Sequence, residues 1–259
     1  MTATTAQSLL LEEALHRLRL PAVLAHYAKI AQDAATQQLS YEAYLLAVLD
    51  QELSQRDANM QRRRLAAAKF PAVKTLDQYD FSLMPQLNRA LILELVQGTY
   101  IAKKENCLLV GEIGTGKTHV ATALGVAACR QGYRVRFYTA AGLTNDLLEA
   151  QVQHRLARVE QALLRHQLLI LDEVGFVPFS KLGADLLFSF LSALHEQVSI
   201  IITTTVPFAD WVSLFGGDQR LTGALLDRLT FHAHLLPFAG SSFRLRQSLQ
   251  RQQEEQRRR

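Results

Sequence analysis

Cysteine is nearly absent from this 259-residue chain: Cys107 and Cys129 stand alone, with neither a metal-ligand spacing nor the partners of a disulfide framework. A free thiol in an apolar stretch behaves as a small hydrophobe, so two buried thiols and a reducing cytoplasm are expected. Long apolar runs are missing too. None reaches the roughly 18 residues of a membrane span, and the first residues lack a basic-then-apolar leader. No membrane partner is expected. Internal repeats are absent, and low complexity is confined to the Gln/Arg-rich C-terminus. The single Trp and seven Tyr form no evident stacking platform.

Neither charge sign dominates, but the modest net charge of +4 is unevenly spread. After Phe243, six arginines (Arg244, Arg246, Arg251, Arg257, Arg258 and Arg259) face only Glu254 and Glu255. A second basic cluster, Arg62-Arg63-Arg64 with Lys69, lies in the N-terminal part. Clusters of this kind either follow phosphate backbones, with salt-dependent affinity, or form solvated helix faces and tails.

What the chain does have is apolar content, 49%, enough to bury one large core or two small ones. Residues 1–75 read as helical. Leu9 to Leu20 repeats apolar residues every three or four, Ala22 to about Gln37 gives a second helix, and Ser40 caps a third towards Lys69. Phe70-Pro71 ends that helix, and Thr75 to Ser82 reads as a linker. From residue 76 to 243 the pattern alternates strands and helices, which predicts a parallel sheet covered on both faces. The predicted strands are 106–110, 132–138, 168–171, 199–205 and 232–238, and residues 244–259 form a basic tail.

Between the first strand and its helix stands Gly111-Glu112-Ile113-Gly114-Thr115-Gly116-Lys117-Thr118, a phosphate-loop pattern, followed by His119. A glycine-rich turn there leaves backbone N–H groups free to cradle phosphate oxygens at a helix N-terminus. Lys117 is placed to reach the β- and γ-phosphates, and the Thr118 hydroxyl to hold Mg²⁺. The strand Leu168-Leu-Ile-Leu171 ends in Asp172 and Glu173. At the C-terminal end of a parallel strand, Asp172 can hold Mg²⁺ and Glu173 can orient and deprotonate a water. The two motifs together point to ATP, Mg²⁺ and ATP hydrolysis.

A GTPase would carry Asn-Lys-x-Asp, which is absent, and a small-metabolite kinase an arginine-rich lid, for which Gln151 to Arg165 is only mildly charged. An oligomeric ATPase fits better. The strand ending at Thr203-Thr-Thr205 would run beside the acidic strand and could set a polar side chain near the γ-phosphate, and Arg228 on a short helix could reach a neighbouring subunit's nucleotide.

These residues resemble the IstB-type insertion-sequence helper ATPases, relatives of DnaC-type helicase loaders in the AAA+ superfamily. The likeness is carried by residues 106–124, 132–137, 168–175, 203–211 and 217–246, above all by Ala224-Leu-Leu-Asp-Arg-Leu229 and Ser242-Phe-Arg-Leu-Arg246. It implies a P-loop AAA+ sheet preceded by a small all-α domain. It also implies ATP-dependent self-assembly on duplex DNA, and help to a DDE-type transposase in a bacterial cytoplasm. By position it makes Lys117, Thr118 and Asp172 the phosphate and metal contacts, Glu173 the base and Arg228 the trans-acting finger. The family usually has asparagine where Thr205 stands as γ-phosphate sensor, so that role and the rate of hydrolysis stay open. Arg220 and Arg244 fit nucleotide or interface contacts, or else surface ion pairs. His154, Arg155 and Arg158, with Arg62, Arg63 and Arg64, could follow DNA phosphates with little sequence preference. Two other readings stay open: a DnaC-like replicative helicase loader, and a scaffold that binds ATP and barely hydrolyses it.

Overall fold

The computed structural model describes residues 2–240, 242 and 243. The chain divides into two compact units, Met1–Arg63 and Arg64–Arg259. In the first, α1 (Thr2–Arg17), α2 (Pro21–Thr36) and the start of α3 (Tyr41–Ala68) follow one another through short turns. Their small core is Leu15, Val23 and Val48, with Leu20, Leu24, Tyr27, Ile30 and Tyr44 around it. Pro21 occupies the first helical position of α2, where its missing N–H costs nothing. The next two amides, Ala22 and Val23, donate to the buried Glu52 carboxylate of α3 at 2.9 and 3.3 Å. Arg56 closes the motif by donating to Glu52 at 2.8 Å and to the Arg19 carbonyl at 2.7 Å.

The second unit is built on five strands: β1 (Asn106–Gly111), β2 (Val135–Thr139), β3 (Leu168–Val174), β4 (Ser199–Thr204) and β5 (Ala233–Phe238). All pairings are parallel and the order is β2-β3-β4-β1-β5. The central strands bury both faces, as their unbroken apolar runs require. Cys107, Leu109, Ile170 and Ile201 enter one core, while Leu108, Leu169, Leu171 and Ile200 enter the other. Each such side chain contributes about 1.5–3 kcal/mol on burial.

One face is covered by α4 (Arg89–Val96), α5 (Thr99–Ala102) and α6 (Lys117–Arg130). The other is covered by α7 (Ala140–Val152), α8 (Leu156–Leu163), α9 (Lys181–Leu194), α10 (Trp211–Leu214) and α11 (Gln219–Thr230). Cys107 and Cys129 are free and buried, as their apolar surroundings led one to expect. Among the described residues no helix is long and apolar enough to cross a membrane.

The segment 75–82 departs from its reading as a linker. It forms two 3-10 turns, Leu76–Gln78 and Phe81–Leu83, because Tyr79 and Phe81 pack into the core beneath α6. The helices α4, α5 and α10 were not predicted: at four to eight residues they are too short to show a period.

Candidate nucleotide site

β1 and β3 both flank β4 and run parallel to it, so the phosphate-loop strand and the acidic strand end at the same edge of the sheet with the end of β4 between them. Their C-terminal ends open on a cleft of about 460 Å³ lined by Tyr79, Met84, Lys117, Thr118, Glu173 and Thr203, among others. The loop wraps from β1 into α6 through Gly114 (φ 79°) and Gly116 (φ 96°), conformations that a Cβ resists. A methyl at Gly116 would also meet the Tyr79 ring at 2.5 Å. Tyr79 braces the loop directly, its hydroxyl donating to the Thr115 carbonyl at 3.1 Å and its ring lying edge-on to His119. Burial, with a smaller push from Asp80, raises the Tyr79 phenol to about 12, so it stays a donor. Lys117 is buried and donates to the Gly111 and Glu112 carbonyls at 2.7 and 2.6 Å.

The acidic end is held by hydroxyls. Asp172 is 3% exposed, and its Oδ1 accepts from Thr118 Oγ1 at 3.0 Å and from Thr203 Oγ1 at 2.5 Å. Burial raises the Asp172 carboxyl above its ordinary value, only partly offset by Thr203, Thr118 and the Lys117 charge. Glu173 takes the left-handed conformation (φ 61°) at a register shift between Leu171 and Val174, and its side chain is exposed at the cleft. Its backbone N–H donates to Thr203 Oγ1 at 2.9 Å. Thr204 Oγ1 donates to the Val174 carbonyl at 2.7 Å on the far side of the shift.

A magnesium–nucleotide fits this donor set. Thr118 and Asp172 offer hard oxygens 3.0 Å apart below the loop, and burial disfavours the charged form of this carboxylate, which a bound cation would offset. Among the described residues no three His, Cys, Asp or Glu side chains form a protein-only metal cage. The remaining ligands would come from phosphate and water, as is usual for Mg²⁺.

The other expected residues are spread more widely. Gly111, Glu112, Ile113, Thr115 and His119 belong to the loop and the first turn of α6, with His119 Nε2 2.9 Å from the Thr75 carbonyl. Thr205 lies just past β4 and lines the cleft. Arg228 lies on α11, where it donates to Ser192 Oγ at 2.5 Å and sits over the Phe188 ring of α9. Arg220 is exposed in the first turn of the same helix. His154, Arg155 and Arg158 are exposed together at the α7–α8 junction. Arg62 and Arg63 are exposed in the first unit, whereas Arg64 is half-buried in the second. Arg244 and the basic tail lie outside the described residues.

Two contributions are not legible in the sequence. Tyr79 stands in a segment with no period, although an aromatic between Asp77 and Asp80 is a signal that could flag it. Thr203 belongs to the same polar strand end as Thr205, but its bonds to Asp172 and Glu173 depend on a register shift that is not written in its own strand.

Comparison with known proteins agrees with this geometry. Residues 13–251 match the family described as IstB-like ATP binding protein. The chain is 39% identical over 237 residues to the ATP-binding protein of insertion sequence IS21 from Pseudomonas aeruginosa, covering 92% of this chain and 89% of that one. It is 33% identical over 237 residues to that of IS5376 from Geobacillus stearothermophilus, covering 92% and 94%. Among solved structures it resembles the replication initiator DnaA bound to AMPPCP and single-stranded DNA, with TM-score 0.53, 21% identity and coverage of 67% of this chain and 52% of that. It also resembles the DnaC helicase loader, with TM-score 0.50, 23% identity and coverage of 68% and 99%. At such identities the two structures speak for the fold alone. With an AAA+ sheet, a phosphate loop and these relatives, the chain belongs to the IstB-like ATP-binding proteins of insertion sequences.

Proposed function

We propose that this chain is an ATP-hydrolysing, DNA-binding AAA+ protein that assembles with copies of itself on target DNA and assists a DDE-type transposase. The observation that carries the proposal is the meeting of Thr118, Asp172, Glu173 and Thr203 beneath the phosphate loop, in a chain whose relatives come from insertion sequences.

In this reading the loop amides and Lys117 hold the phosphates, and the Tyr79–Met84 wall shelters the base. Thr118 and Asp172 hold Mg²⁺, which when bound draws electron density from the phosphate oxygens. Glu173 accepts the proton of the attacking water, and Thr205 orients near the γ-phosphate. Arg228, steadied by Ser192 and Phe188, faces a neighbouring subunit's nucleotide and offsets transition-state charge there. Residues 1–75 serve assembly and partner contact, residues 76–243 the nucleotide cycle, and residues 244–259 supplementary phosphate contact. His154, Arg155 and Arg158, with Arg62 to Arg64, position DNA without reading its bases.

The test is ATP turnover measured alone, with duplex DNA and with single-stranded DNA. Turnover stimulated by duplex, and lost in Lys117→Ala, supports the proposal. Stimulation confined to single strands would favour a helicase loader, and binding without turnover a nucleotide-gated scaffold.

A further inference from the structure

We propose that Thr203 is a positioning residue that ties the metal-site acid Asp172 to the backbone of the base Glu173, so that the two carboxylates move as one. The proposal rests on the hydrolytic reading of Asp172 and Glu173 given above, and goes beyond it by assigning a role to a residue with no place in either motif.

The argument begins with the ladder between β3 and β4. It runs in register from Leu168–Ser199 to Leu171–Ile202, then shifts before Val174–Thr204. The shift leaves Asp172 and Glu173 without regular partners on β4, although Asp172 still pairs with Thr139 of β2, and Glu173 adopts φ 61°. A non-glycine residue in that region is strained and persists only where its surroundings hold it. Thr203 supplies the hold. Its hydroxyl has one proton, which goes to Asp172 Oδ1 at 2.5 Å, so its lone pairs are left to accept the Glu173 N–H at 2.9 Å. The result is a directional chain, Glu173 N–H to Thr203 O–H to Asp172 carboxylate, in which each bond polarises the next. Thr203 is 1% exposed, so water does not substitute for it. Thr204 fixes the opposite side of the shift through the Val174 carbonyl. Through this chain, a pull on Asp172 at the metal site is felt at the main chain that aims the Glu173 carboxylate.

The test compares Thr203→Val, which keeps the shape without the hydroxyl, with Thr203→Ser, which keeps the hydroxyl. In full-length Thr203→Val, kcat should fall by about tenfold or more while nucleotide affinity at saturating Mg²⁺ changes less than about threefold. The Mg²⁺ concentration for half-maximal nucleotide binding should rise by about threefold or more, since Asp172 loses a partner that fixes its rotamer. Without metal or nucleotide, amide exchange in a peptide spanning Glu173 should speed up, while peptides of α4 and β1 stay protected. Thr203→Ser should restore all three readouts to near wild type. Unchanged turnover, metal dependence and exchange in Thr203→Val would overturn the proposal, as would a serine variant as impaired as valine. Should valine fail to fold, judged by thermal melting, Thr203→Ala and Thr203→Ser are compared on the same readouts. A wild-type chain that binds ATP without hydrolysing it would sink the hydrolytic reading alone. The metal titration and the exchange would then still decide the role of Thr203.

Discussion

Asp172 shows how a single side chain sets the terms for the site. Its carboxylate is buried with two hydroxyl donors and a nearby lysine, yet its pKa is raised, so the charged form is held at a cost. The sign follows from linkage: a raised carboxyl in the folded state makes stability fall as pH climbs from the ordinary value of 3.8 through the folded value. Asp172→Asn should therefore melt higher than wild type without nucleotide, by roughly 2–4 °C for each kcal/mol relieved in a chain of this size. That advantage should vanish below pH 3.8 and be complete above the raised value, while Mg²⁺-dependent nucleotide binding is lost. Melting curves across pH, with and without magnesium–ATP, check both halves. Glu173→Gln leaves the phosphate and metal contacts whole, so it should abolish turnover yet leave ATP-dependent DNA binding intact or stronger, as gel-shift titration would reveal. Gly116→Ala meets the Tyr79 ring at 2.5 Å and a strained φ of 96°. It should weaken nucleotide binding by about tenfold or more, given a strain of order 1–3 kcal/mol, with the loss read by equilibrium fluorescence titration.

At the scale of elements, what could be read in advance was whatever had a period or a motif. The strands of the sheet were legible because runs such as Leu168–Leu171 and Ile200–Ile202 are apolar on both faces, and only a doubly covered parallel strand needs that. The phosphate loop was legible because its glycines and Lys117 stand between such a strand and a helix. The brace under the loop was not, since Tyr79 reaches Thr115 across 36 residues from a 3-10 turn. Nor was the part of Thr203, which depends on a register shift created by the neighbouring strand. The first unit offers a parallel case in Glu52, a mid-helix glutamate that caps a different helix. Burial pushes its carboxyl up, but Arg56 and the two α2 amides outweigh this and hold it below 4.5. Its contribution is thus complete above pH 4.5 and fades as pH drops through the lowered value. Glu52→Ala should cost about 1–3 kcal/mol, since it strands two α2 amides, and should loosen α2 first; hydrogen exchange across residues 21–36 would register it.

For the whole molecule, the proposed work is division of labour between a nucleotide-binding sheet and basic regions at several points along the chain. Arg155 and Arg158 stand exposed on the second unit, and Arg62 and Arg63 on the first. Contacts of this kind neutralise phosphates, so affinity for DNA should fall steeply with salt, with a slope of roughly −0.9 per phosphate neutralised. Replacing Arg155 and Arg158 by alanine should flatten that slope by about two without changing ATP affinity, in binding titrations between low and moderate salt. The most direct test of the central claim is the size of the purified protein on a duplex of about 50 base pairs, long enough at roughly 3.4 Å per pair to seat several subunits. Sizing would be done with ATP, with ADP and without nucleotide. Large complexes that form on the duplex only with ATP, and fail with Lys117→Ala, are the expected result. Complexes of the same size without nucleotide, or none on any DNA, would contradict it.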